Sequence, residues 1–164
     1  MKRVLITGMS GSGKSSVIRE LAALGYKAVD TDWDPRWEES SHRSQHGISE
    51  SDWVWREDEI QALLDAEDAE VLFISACVPN QGKFYSQFDH IVLLSAPESV
   101  TVERLTGRIN NAYGKRPEEL ADVLRYKETV EPMLRKGATL EINASIPLLQ
   151  VVEQILAATQ QKRP

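Results

Sequence analysis

Two short stretches of this chain carry residue types that could do phosphate chemistry. "GMSGSGKS", Gly8 to Ser15, matches the spacing G-x-x-x-x-G-K-[ST] at every fixed position. Glycines at that spacing let backbone N–H groups turn inward around phosphate oxygens. The lysine reaches the β- and γ-phosphates, and the final hydroxyl can ligate Mg²⁺. Gly8, Ser10, Gly11, Ser12, Gly13, Lys14, Ser15 and Ser16 are therefore the expected contacts for ATP (or GTP). Lys14 would also act on the transferring group, and Ser15 on the metal. The second stretch is "VDTD", Val29 to Asp32. Side chains two apart in an extended segment point the same way, so Asp30 and Asp32 could face one site. One would help hold the Mg²⁺ shell and the other accept a proton from an attacking hydroxyl. We assign Asp30 to the metal and acceptor and Asp32 to the acceptor and the chemistry, with the reverse division left open.

Elements that could position these groups alternate along the chain. Arg3–Thr7 reads as a buried strand and Lys14–Leu24 as the helix that follows, with Val17, Ile18, Leu21 and Leu24 on one face. Lys27–Asp30, Val71–Ala76, His90–Ala96 and "ATLEIN" read as four further strands. Helices are expected at Trp53–Glu67, Pro97–Thr106, Pro117–Lys136 with a kink at Pro132, and Pro147–Thr159. Five short apolar strands interleaved with helices imply an α/β fold, a five-stranded parallel sheet with helices on both faces, in one domain over residues 1–164. Ligands bind at the C-terminal edge of such a sheet, where both phosphate-related stretches fall.

Bulk properties narrow the partners. The 164 residues are 41% hydrophobic and 27% charged, with a net charge of −6. That balance argues against generic nucleic-acid binding, which needs a broadly basic surface. Cys77 is the single cysteine, which suits a reducing compartment. Neither a signal-peptide core nor an apolar run of about 20 residues occurs, so a cytoplasmic protein without membrane contact is expected. A monomer is the default, a homodimer the alternative.

Rival nucleotide chemistries lack their usual residues. A GTP-driven switch carries N-K-x-D and D-x-x-G elements, and neither is present. A motor or AAA-type ATPase normally ends an apolar strand with an acidic pair for Mg²⁺ and water. Here the third strand runs into "FISACVPN" and the fourth into "VLLSAPES".

A phosphate loop followed by D-x-D about 15 residues after its lysine resembles shikimate kinase, gluconate kinase and dephospho-coenzyme A kinase, within the superfamily of P-loop small-molecule and nucleotide kinases. That resemblance implies the P-loop NTPase fold, use of ATP and Mg²⁺, and acidic residues after the second strand that serve the acceptor and the metal shell. "VERLTGRINNAYGKRPEEL" resembles the arginine-bearing lid of those enzymes, with a lid loop at 107–117 and Arg104, Arg108 and Arg116 as candidates. Arg104 and Arg108 are expected to act on the transferring group, Arg108 also on the nucleotide. "EINASIPLLQVVEQIL" is similar to the strand–loop–helix that brackets adenine, through Asn143, Ala144 and Ser145. The chain departs from shikimate kinases after the third strand, where "SACVPNQGKFY" replaces a run of glycines. It also lacks the early T-G segment with an arginine of nucleoside-monophosphate kinases, so no one family supplies the acceptor.

The acceptor segment is expected at 31–60. All four tryptophans lie between residues 33 and 55. Trp33 and Trp55 are candidates to stack on a ring-bearing acceptor, and Arg36 and Arg56 to bind its polar or anionic substituent. Trp53 shares a helix face with Ile60 and Leu64 and reads as core, while Arg56 could instead pair with Glu59 or Asp52. His42 and His46, four apart, lack further metal-ligand partners, and Cys77 reads as a packing residue. The reading is an ATP-dependent kinase acting on a hydroxyl or phosphate of a small molecule such as a nucleoside, nucleotide, sugar acid or ring-bearing metabolite. The alternatives are an ATP-binding regulatory module without such an acceptor and a slow NTP hydrolase.

Overall fold

The apolar runs assemble into one twisted parallel sheet. A computed structural model describes residues 1–45, 48–109 and 112–160, without the side chains of 42–45 and 48–52. The sheet contains β1 (Lys2–Thr7), β2 (Lys27–Asp30), β5 (Val71–Ser75), β6 (His90–Ser95) and β7 (Leu140–Asn143), in the order β2-β5-β1-β6-β7. Every pairing among them is parallel. The five expected strands are therefore the five sheet strands.

Strand alternation divides the core. Val4 and Ile6 of β1 point to one face, where Phe73, Val92 and Leu94 join them under α1 (Lys14–Ala23) and α6 (Leu148–Gln160). Leu5 points to the other, with Leu72, Ile74 and Ile91 under α2 (Glu57–Asp65). Each of these side chains is buried, and burying one such aliphatic contributes about 1.5–3 kcal/mol. A sheet clad on both faces exposes ligand-binding backbone only at its ends, and β1 runs into the phosphate loop at its C-terminal end. The flanking helices are α3 (Glu98–Gly107), α4 (Pro117–Thr129) and α5 (Glu131–Gly137), with a 3₁₀ helix at Gln81–Gln87. No helix among the described residues is long and apolar enough to cross a membrane.

Two expectations about local structure are corrected. The helix expected at Trp53–Glu67 starts only at Glu57, and the residues before it form an antiparallel hairpin, β3 (Glu38–Gln45) with β4 (Ile48–Trp55). Glu57, Asp58 and Glu59 crowd the first turn of α2, where carboxylates complement the helix dipole, so the true start was marked. "WVW" just before it is an aromatic and β-branched run that favours a strand once a partner strand is present. The long helix expected over Pro117–Lys136 is two helices meeting at Val130. Pro132, near the start of α5, cannot donate to the preceding turn and its ring crowds the carbonyl four residues back, so the helix restarts there.

Candidate active site

The phosphate loop leaves β1 and enters α1 through residues that only glycine suits. Gly11 and Gly13 sit at φ 80° and 94°, in the left-handed region. A Cβ on Gly8 would lie 2.5 Å from the Leu94 carbonyl oxygen and 2.8 Å from Ser12 Oγ, so Gly8 allows the close approach that shapes the loop. Ser10, Gly11, Ser12, Gly13, Lys14, Ser15 and Ser16 all line a cleft of about 560 Å³.

Lys14 is buried, and its Nζ lies 3.4 Å from Asp32 Oδ2 while donating to the Gly8 carbonyl at 2.9 Å. Burial works against its charge, but Asp32 foremost among the neighbouring negative groups outweighs it, and the Lys14 pKa is raised. Asp32 also lines the cleft and its Oδ1 accepts the Cys77 N–H at 3.3 Å. Asp30 stands one step back. Its Oδ1 accepts from Ser75 Oγ at 2.8 Å and from the Asp32 N–H at 3.3 Å, and it is not part of the lining. Burial pushes the Cys77 thiol up, away from the thiolate a nucleophile needs.

The turn after Asp32 holds a group that sequence reasoning missed. Trp33 has φ 63°, an unusual conformation for a bulky residue, and its N–H donates to Glu38 Oε2 at 3.0 Å. Glu38 is only 3% exposed. Burial above all, and then Asp32 and Asp30, push its carboxyl up to about 7, against the opposing pull of the Trp33 N–H and Lys14. No spacing rule marks a lone glutamate before a hairpin, so no sequence signal could have found it. Thr31 was missed too. Its buried Oγ1 donates to the Ser75 carbonyl at 2.7 Å and accepts the Trp55 indole N–H at 2.8 Å, tying the segment to the sheet edge.

The candidate acceptor residues separate. Trp33 lines the cleft and is 62% exposed. Trp55 is 1% exposed, packs edge-on to Phe84 at 5.6 Å, and both its backbone groups bond to the Asn80 side chain. Stacking on a ligand is closed to Trp55 from there, and that expectation is corrected. Trp53, expected in the core, is instead 43% exposed on β4. It was grouped with Ile60 and Leu64 on a helical period, but the helix starts only at Glu57, and it is Trp55, bonded to Thr31 and Asn80, that is anchored against the sheet edge. Arg36 lies over the Trp37 ring at 4.5 Å and Arg56 reaches the Pro35 carbonyl at 3.5 Å, and neither lines the cleft. His46 lies outside the described residues, as does the side chain of His42.

Arg104 and Arg108 both line the cleft. Arg104 is a strap: Nη1 reaches the carbonyls of Gly11 and Ser12, each at 3.4 Å, and Nη2 donates to the Ala144 carbonyl. One side chain thus ties the phosphate loop to the loop after β7. Arg108 caps α3 and donates to the Tyr113 carbonyl. Arg116 pairs with Glu119 on the surface, away from the lining. Of the 107–117 loop, residues 110 and 111 lie outside the described residues. Ala144 lines the cleft, whereas Asn143 does not: its Oδ1 accepts from the Ser145 N–H and hydroxyl and shapes the turn. Arg19, Tyr113, Ile146 and Leu148 also line it and were not expected; Arg19 lies one turn along α1 from Ser16, whereas long-range folding brings the other three there.

The loop fits a polyphosphate. Ser12 Oγ is buried with no partner among the described residues, in a residue that lines the cleft, and a phosphate oxygen there could accept from it. Ser15 is exposed at the helix start. Among the described residues no group of three or more His, Cys, Asp or Glu could hold a metal, and the Ser15 hydroxyl is the loop's candidate ligand for Mg²⁺.

A family model described as an AAA domain matches residues 4–129. No curated protein sequence matches significantly. Solved structures do match in fold. A shikimate kinase from Bacteroides thetaiotaomicron superposes with a TM-score of 0.66 at 21% identity, over 98% of this chain and 99% of that one. A shikimate kinase from Acinetobacter baumannii in complex with shikimate gives 0.64 at 17% identity, over 98% and 93%. A gluconokinase from Sinorhizobium meliloti 1021 gives 0.55 at 20% identity, over 95% and 90%. At these identities the likeness is one of fold, that of the P-loop kinases.

Proposed function

The chain belongs to the AAA-domain family; because it lacks the strand-end acidic pair of an AAA-type ATPase, we propose that within this family it is an ATP-dependent small-molecule kinase. It would move the γ-phosphoryl group of ATP to a hydroxyl or phosphate oxygen of an acceptor held beside Asp32. The observation that carries this reading is the position of Asp32, 3.4 Å from Lys14 and in the lining of the same cleft. A hydrolase of this loop type places its carboxylates at the end of the strand beside β1. Here β5 ends at Ser75 and runs on into Ala76 and Cys77, and the carboxylate comes from the acceptor side. The kinase names of the fold's neighbours lend support.

Backbone N–H groups of Gly8–Ser15 would cradle the phosphates, with Lys14 neutralising charge on the transferring group. Ser15 would hold Mg²⁺, and Asp30, set one step behind the lining, would act on that metal's shell only indirectly, through the Asp32 backbone N–H that it accepts. Magnesium supplies charge neutralisation between the phosphates. Asp32 would orient the acceptor hydroxyl and take its proton. Arg108, and Arg104 through its grip on the loop, would steady the negative charge over the cleft. The 107–117 segment would act as a lid that excludes water. The acidic composition and single cysteine suit a cytoplasmic enzyme.

Measuring ATP consumption with and without nucleosides, nucleotides, sugars and sugar acids tests this. An acceptor-dependent rise in rate supports the kinase. A slow rate indifferent to every acceptor would leave a hydrolase, and binding without turnover a regulatory module.

A further inference from the structure

The cleft has an aromatic wall that the transfer chemistry does not use. Trp33 projects from the turn after Asp32 and meets Trp53 of the hairpin edge-on, with ring centroids 6.1 Å apart. It also meets Tyr113 of the loop after α3, at 6.3 Å and tilted 49°. Three rings from three separate elements thus converge, and Trp33 and Tyr113 line the same cleft as Lys14 and Asp32. Trp33 and Trp53 nonetheless remain 62% and 43% exposed. Large aromatic surfaces left open beside a phosphate site mark a place where a ring is received. The backbone is strained to keep Trp33 there: a bulky residue at φ 63° is held by the buried Glu38 carboxylate on its N–H.

Carboxylates dominate the Trp33 side of this wall, while two further cations of the cleft are held elsewhere in it, Arg19 donating to Ser16 Oγ and Arg108 to the Tyr113 carbonyl. Asp32 adjoins Trp33, and Asp30 and Glu38 lie just behind it. Lys14 faces Asp32, and Arg104 is strapped to three backbone carbonyls. Arg36 and Arg56, each three residues beyond a tryptophan of the wall, are turned onto Trp37 and Pro35. A carboxylate set against Trp33 would meet carboxylates, and like charges at such distances cost several kcal/mol.

We infer that the acceptor is a hydroxyl-bearing molecule with a flat ring and no anionic group, received on the wall of Trp33, Trp53 and Tyr113. This rests on the kinase reading for the word acceptor but not for the binding surface. It separates this chain from an enzyme built for a carboxylate such as shikimate.

The full chain, saturated with a non-hydrolysable ATP analogue and Mg²⁺, is titrated with uridine and pyridoxine as flat-ring probes. Myo-inositol serves as a neutral non-planar control, and shikimate and gluconate as carboxylates. Tryptophan emission reports binding, because the two open indoles are the ones a ring would quench. The flat rings should bind at least about tenfold more tightly than the controls. Trp33→Ala should weaken them about three- to tenfold, and Trp33→Phe should restore most of it. Trp53→Ala, at another exposed site, is the second variant should Trp33→Ala misfold. Equal binding of shikimate, no binding of either flat ring at millimolar concentration, or indifference to Trp33→Ala and Trp53→Ala each overturns the inference. The kinase reading is scored separately, by phosphoryl transfer from ATP to the bound probe. Ring binding without transfer to any acceptor removes the kinase and keeps the aromatic site. Transfer to a sugar acid that ignores Trp33→Ala keeps the kinase and removes the aromatic site.

Discussion

Lys14 Nζ and Asp32 Oδ2 lie 3.4 Å apart across the floor of the cleft, one at the start of α1 and the other just beyond β2. The pair joins the phosphate loop to the acceptor side before any substrate is present.

Asp32→Asn should therefore cut phosphoryl transfer about 10²–10⁴-fold, the usual worth of a positioned general base. Nucleotide affinity, read by titration with an ATP analogue, should change little, since the amide keeps the shape and Lys14 remains. Transfer that survives intact removes Asp32 from the mechanism.

Arg104→Ala unties the Gly11, Ser12 and Ala144 carbonyls at once. We expect a stability loss of about 1–3 kcal/mol in urea denaturation, together with weaker nucleotide binding. Arg104→Lys should recover only part of either, because one ammonium cannot span two loops as the guanidinium fork does. Full recovery by lysine would mean that charge alone matters there.

Glu38 makes stability depend on pH. Its carboxyl titrates at about 7 when folded against an ordinary value of 4.5, so between those values the folded chain binds more protons than the unfolded one. Stability attributable to Glu38 therefore falls as pH rises from about 4.5 to about 7 and is level above that. The stability of the wild type minus that of Glu38→Gln, followed by thermal melting across this window, should decline with rising pH. A difference that does not vary with pH would show that Glu38 is solvated.

Trp55 and Trp53, two residues apart, should behave as opposites. Trp55→Ala empties a core site and should cost about 3–5 kcal/mol. Thr31→Val strands the Trp55 indole N–H and should cost about 1–3 kcal/mol. Trp53→Ala, on an open strand face, should stay within about 0.5 kcal/mol. Equal costs at the two tryptophans in urea denaturation would place both in the core.

The parts of this protein legible in its sequence are those whose signals are local. A glycine-rich loop needs its glycines at fixed positions, and a strand buried on both faces must be apolar throughout. Gly8–Ser15, the five sheet strands and most helices could thus be read directly, and the adjacency of Asp30 and Asp32 followed from spacing. The hairpin at 38–55 could not, because its strands are polar and pair only with each other. Reading Trp53 and Trp55 on a helical period put the wrong tryptophan in the core.

Which distant groups meet was decided only by the chain's path through space. Lys14 has Asp32 as its partner because β2 ends at the sheet edge beside the phosphate loop. Arg104 becomes a strap because α3 packs across that loop and the turn after β7. Trp33, Trp53 and Tyr113 form one wall because a hairpin, a strained turn and a loop converge there. Residue types and spacing therefore determined the phosphate-loop half of the site. The half around Asp32 and Trp33 depends on contacts between segments far apart in sequence, whose energies arise only when the fold brings them together.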